Sequence, residues 1–96
     1  MHIITKKRII EARTKHIKSA TALDGWYKVI EKNRFSSFAD LKKTFNSIDK
    51  VGDLYVFDIG GNKLRLIASI HFNRQKLYIR HILTHKEYDE GKWRIK

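Results

Sequence analysis

The sequence predicts an α+β domain: two N-terminal helices and a short third helix packed on one face of a three- to four-stranded antiparallel sheet. Three observations predict it. Apolar residues recur with a helical period in the first half of the chain and with a period of two after Asp53. The dipeptide Gly60-Gly61 separates two strand-like runs, which signals a β-hairpin. Helical segments come first and strands second, the order of an α+β chain rather than of alternating βαβ units.

The elements follow in order. "HII" at the start is short and apolar and is a candidate edge strand. In "KKRIIEARTKHIKSATALDGWYKVIEKN", Ile9, Ile10 and Ile17 form a weak helical stripe. Leu23, Trp26, Tyr27 and Ile30 fall at i, i+3, i+4 and i+7, so they mark an amphipathic helix with a buried stripe. Two helices joined near Ser19 to Thr21 are expected, with Thr21 as N-cap. "SFADLKKTF" places Phe38, Leu41 and Phe45 on one face of a third helix, and Ser37 and Asp40 suit its start. Three strand runs then form a meander: "DLYVFDI", "KLRLIASIHF" and "KLYIRHILTH", the last entered through a polar turn at Asn73-Arg74-Gln75.

Strand alternation sorts the side chains. Leu64, Leu66, Ala68, Ile70 and Phe72 share the core face, and Lys63, Arg65, Ile67, Ser69 and His71 share the other. In the third run Leu77, Ile79 and Leu83 point one way, and Tyr78, Arg80 and Ile82 the other. Arg65 and Arg80 thus fall on the non-core face.

Composition bounds the function. With 96 residues and 42% hydrophobic content, the chain makes one small domain with a modest core, and the starting methionine suggests a complete chain spanning 1–96. Cysteine is absent, which removes disulfides and thiolate metal sites and fits a reducing cytoplasm. Apolar runs reach about four residues against the ~20 of a membrane span, and no signal-peptide core follows the N-terminus. No membrane partner or secretion is expected. The net charge of +11 points to a polyanion, nucleic acid first, because phosphate contacts release counterions.

No metal ligand set stands out. His81 and His85 straddle a strand end, no HExxH occurs, and Gly60-Gly61 lies in a hairpin rather than a phosphate-binding loop. No cofactor is implied. The remaining groups suit RNA cleavage without metal: a base for the ribose 2′-hydroxyl, cations for the charged phosphorane and an acid for the 5′-oxygen. His71, Arg65, Arg80, His85, Lys86 and Tyr88 supply those types. Trp26 and Tyr27 read as packing residues, and Trp93 as one that folds the C-terminus back onto the sheet. His16 reads as structural or exposed. Lys6, Lys7 and Arg8 suit a solvated helix start as well as a contact with nucleic acid. Thr84 and Glu87 form a capping box that turns the last strand into a short helix.

The chain resembles the HigB family of toxins from type II toxin–antitoxin modules, within the RelE-like superfamily of mRNA interferases. The resemblance runs through "MHIIT", "WYKVI", "SFADLKKTF", "DKVGDLYVFDIGGNKLRL" and "LYIRHILTHKEYD". Its most specific parts are "GNKLRL" and "YIR" followed by "THKEYD". It implies a compact α+β fold with a curved antiparallel sheet and helices on one side. It also implies an endoribonuclease that cuts mRNA during translation on the ribosome. The implied partner is a HigA-like helix-turn-helix antitoxin that neutralises the toxin, so operator DNA is met only through that partner. Residue by residue, Arg65 and Arg80 would hold the phosphate, His85 would be acid or base, and Tyr88 would stack on a base or donate its hydroxyl. Lys63, Lys86 and Tyr78 would be secondary RNA contacts, and His71 the alternative base. Two other functions fit the same composition: a non-catalytic RNA- or rRNA-binding domain, and an interaction domain for an acidic partner. Direct DNA binding is weaker, for want of a helix-turn-helix signature.

Overall fold

The computed structural model describes residues 1–61 and 63–94. Asn62, part of the "GNKLRL" motif, lies outside them. In chain order the elements are β1 (His2–Ile3), α1 (Lys6–Lys15), α2 (Ala20–Lys32), α3 (Phe38–Thr44), β2 (Asp49–Val51), β3 (Leu54–Ile59), β4 (Leu64–His71), β5 (Lys76–Thr84) and α4 (His85–Glu90). Single 3-10 turns follow α1, at Ile17–Ser19, and α4, at Lys92–Arg94.

The α+β class holds, but the sheet has five strands in the order β1-β5-β4-β3-β2 and is mixed rather than antiparallel. The meander β3–β4–β5 is antiparallel as expected, and Gly60 and Gly61 both take positive φ (63° and 60°), which costs glycine little. β1 joins β5 in parallel. Contacts remote in sequence set its direction. The N-terminal ammonium donates to the carbonyls of Ile30 and Asn33, and the Ile3 amide donates to Glu31 Oε2 at 2.8 Å. The fifth strand, β2, pairs with β3 through a tight turn at Gly52, whose φ is 61°.

The main core lies between α1–α3 and one sheet face. Leu23, Trp26 and Ile30 of α2 and Leu41 of α3 pack on Phe57, Leu66, Leu77 and Ile79. Phe57 meets Trp26 and Phe45 edge-on, at 5.3 and 5.2 Å between ring centroids. At α3 the Ser37 side chain accepts from the Asp40 amide, and Asp40 accepts from the Ser36 amide at 3.0 Å.

Two helical details differ from expectation. α2 starts at Ala20 with Ser19 in the N-cap position, so Thr21 lies inside the helix. The 3-10 turn at Ile17–Ser19 has already begun winding the chain. That turn also resets the helical phase after Lys15. Only Ile9 and Ala12 of α1 are buried, whereas Ile10 and Ile17 are exposed.

The consequential difference is in β5. Ile67 pairs with His81, but Ala68 pairs with Ile79, so Arg80 is the extra residue of a β-bulge. Past the bulge the alternation inverts. Ile82 packs on the main core, while Leu83 joins a smaller cluster of Val56, Ile67 and Trp93 on the opposite face. The assignment of Leu83 inward and Ile82 outward is thereby reversed.

Candidate active site

The sheet face opposite α1–α3 is covered at one end by α4 and the turn after it. The Thr84 hydroxyl accepts from the Glu87 amide at 3.2 Å, and the Glu87 carboxylate accepts from the Thr84 amide at 2.9 Å. This is the expected capping box, and its backbone hydrogen bond from Thr84 holds the Glu87 carboxyl below its ordinary pKa. Gly91, at φ 75°, ends the helix in the left-handed conformation. The chain then returns, and Trp93 packs on Val56 and Ile67 as expected. Trp93 stacks on Tyr88, with centroids 5.1 Å apart and planes 14° from parallel, and its indole N–H donates to the Tyr88 carbonyl at 3.0 Å.

Arg65 lies under this cover. Its Nη1 is 3.0 Å from Asp58 Oδ1 on the neighbouring strand, where Asp58 and Arg65 are direct cross-strand partners. Its Nη2 lies 3.2 Å from His85 Nδ1, and its guanidinium sits over the Tyr88 ring, 5.5 Å from the centroid. An arginine has no acceptor, so His85 Nδ1 must offer a lone pair and the ring proton belongs on Nε2. That nitrogen faces Asp89 Oδ2 at 3.2 Å. Arg65, His85 and Tyr88 are therefore one contact group, with Asp58 and Asp89 fixing its cation and its imidazole.

Arg80 belongs to a second group. It lines a groove of about 760 Å³ with His71, His81, Ser69, Trp93 and Arg94, rimmed by the turn from Val51 to Leu54. His71 meets Tyr78 edge-on at 5.6 Å. Burial, with Arg8 and Arg80 nearby, pushes the His81 imidazole below its ordinary pKa of 6.5, which favours its neutral form. Trp93 connects the two groups, since it stacks on Tyr88 and also walls the groove.

The remaining candidates lie further out. Lys63 is exposed and faces a separate concavity with Lys15 and Lys18, by the join of α1 and α2. Lys86 is exposed on α4. Among the described residues, no group of three or more His, Asp or Glu is arranged to hold a metal ion. Sequence reasoning passed over Asp58, His81 and Arg94. The register of the hairpin pairs Asp58 with Arg65 and would have found it, whereas His81 reaches this face only through the bulge.

Comparison of the sequence with known proteins points to one family. The family model HigB_toxin, described as the RelE-like toxic component of a toxin–antitoxin system, matches residues 19–91. The chain belongs to the HigB toxin family. It is 42% identical over 92 residues to the mRNA interferase toxin HigB of Escherichia coli strain K12, covering 93% of this chain and 88% of that protein. The mRNA interferase HigB of Shigella flexneri gives the same figures. That of Escherichia coli O6:H1 is 38% identical over 93 residues, or 94% and 90% of the two chains. The match to the family model takes in Arg65, Arg80, His81, His85 and Tyr88 and ends before Trp93 and Arg94.

Proposed function

We propose that this HigB-family chain is an mRNA interferase, an endoribonuclease that cuts mRNA undergoing translation on the ribosome and so halts protein synthesis. The observation that carries the reading is Arg65 in simultaneous contact with His85 and Tyr88, in a chain 42% identical to proteins named mRNA interferase. A guanidinium, an imidazole and a phenol in contact are the groups that metal-independent 2′-hydroxyl attack needs. Arg65 and Arg80 bind the scissile phosphate and stabilise the charge that builds on it. His85 is the acid or the base, and Tyr88 stacks on an unpaired base or donates its hydroxyl. His71 is the alternative base. Lys63, Lys86 and Tyr78 add contacts along the RNA. The net charge of +11 draws the protein into a cleft walled by ribosomal RNA. Such a toxin works in the cytoplasm, and among the described residues no helix is long and apolar enough to cross a membrane. Its antitoxin partner is a HigA-like helix-turn-helix protein.

Controlled expression with and without the neighbouring reading frame tests the proposal. Expression alone should arrest growth and leave cuts in translated mRNA, and co-expression should restore growth. Arg65→Ala and Arg80→Ala should abolish arrest while the protein still binds the antitoxin. Full toxicity in both variants refutes the site. Arrest without cut mRNA would favour a non-catalytic RNA-binding domain.

A further inference from the structure

His81 takes no part in the site as built from the resemblance, yet the fold delivers it there. In a regular strand, neighbouring residues point to opposite faces. Arg80 and His81 are neighbours, and both line the groove, because Arg80 is the unpaired residue of the bulge and His81 pairs with Ile67 on the outer face. Bulges re-aim side chains in this way beside functional sites. The register adds a second relation. Arg65 pairs with Leu83 and Ile67 with His81, so Arg65 and His81 are diagonal neighbours on one face. Such pairs lie roughly 7–8 Å apart, close enough for long side chains to share one phosphate. The other imidazoles are placed differently. Both ring nitrogens of His85 are engaged, by Arg65 and by Asp89. His71 is exposed at the end of β4, against the edge of Tyr78.

From this placement we propose that His81 is the general base of the cleavage, held in the groove beside Arg80 and diagonal to Arg65. The inference rests on the endoribonuclease reading above and deepens it. A ring nitrogen of His81 removes the 2′-hydroxyl proton as that oxygen bonds to phosphorus. The bond from phosphorus to the 5′-oxygen breaks, and the 5′-oxygen takes a proton from the Tyr88 hydroxyl, because His85, bonded as it is to Arg65 and Asp89, is a neutral imidazole without an acidic proton to give. The products are a 2′,3′-cyclic phosphate and a 5′-hydroxyl, with no oxidant, reductant or metal required. His81 suits the first step because its neutral form is favoured before RNA arrives. The charged and titratable groups around it are Arg8 from α1, Arg80 on its own strand, Arg65 and His71 on β4, Asp53 at the groove rim and Arg94 after α4. Cations predominate, which favours the unprotonated imidazole.

The test is single-turnover cleavage of ribosome-bound mRNA by the full-length protein, from pH 5 to 8. For the wild type, the rate should climb with pH, with a midpoint below 6.5, and level off before neutrality. His81→Gln should slow cleavage about 100-fold and remove that acid limb. His81→Ala should be slowed as strongly and recover in part with added imidazole, while its melting temperature and antitoxin binding stay near wild type. His81→Gln within about threefold of the wild-type rate overturns the assignment, as does slowed cleavage that keeps the acid limb. A wild-type protein that leaves the mRNA uncut overturns the endoribonuclease reading itself, and the base with it.

Discussion

Replacing Arg65 with alanine separates the structural and chemical duties of one side chain. The Arg65 side chain is 12% exposed, and that of its partner Asp58 is 25% exposed. The pair is therefore neither a surface bridge worth about 0–1 kcal/mol nor a fully buried one whose disruption costs about 3–5. Between those limits, and with some stacking on Tyr88 lost as well, a cost of about 2 kcal/mol is expected. For a domain this size, that lowers the melting temperature by roughly 8–16 °C. Cleavage should fall much further, by about 100- to 1000-fold, as when a donor to a developing anion is removed. Asp58→Asn is the matched control. It weakens the same ion pair but leaves the guanidinium over Tyr88, so it should lose stability while keeping most of its cleavage. The assays are thermal melting by circular dichroism and cleavage of ribosome-bound mRNA well below both melting points. If Arg65→Ala and Asp58→Asn lose cleavage only in proportion to stability, Arg65 is a structural residue and the phosphate assignment fails.

Three further outcomes follow from the fold. Glu87 caps α4 as a carboxylate with its pKa lowered, so its contribution is complete above its ordinary pKa of 4.5 and is lost as pH falls through the lower folded value. The stability gap between wild type and Glu87→Gln should accordingly close in acid, and a gap independent of pH in urea titrations would contradict this. Phe57→Ala empties a site between Trp26 and Phe45 and should cost about 3–5 kcal/mol in the same titrations. Ile17→Ser should change stability by no more than about 0.5 kcal/mol, because that side chain is 78% exposed; a larger loss would place Ile17 in the core after all.

Much of this fold can be read directly from residues. The stripe Leu23, Trp26, Ile30 and the alternation of Leu64, Leu66, Ala68 are burial patterns enforced by helix and strand geometry, and all six are buried. The cap of α4 was legible because Thr84 and Glu87 satisfy each other's amides locally. The edge strand expected from "HII" is present as β1, but its parallel direction was not legible. Two residues carry no period, and their direction depends on a terminus bonded to Ile30 and Asn33. β2 left a signal in Gly52-Asp53, but its residues Asp49 and Lys50 are exposed and give no apolar alternation to read.

The site shows why residue types were easier to read than residue arrangement. Arg65 lies in an unbroken stretch of β4, so counting by twos was enough to put it on the outer face, while its partner Asp58 follows only from the register of the hairpin. Beyond Arg80 the same count fails, because a bulge is a feature of the pairing between two strands and counting along one of them does not include it. Its effect is to set two polar side chains in succession, Arg80 and His81, on a face where regular pairing allows one. Without it, His81 would turn toward the apolar core and Ile82 toward the groove, an arrangement that burial alone would penalise. The position at which alternation breaks is thus the position at which the polar face gains a second functional side chain. A local rule broken at the candidate site, while the surrounding core obeys it, is what a surface shaped for chemistry rather than for packing would produce.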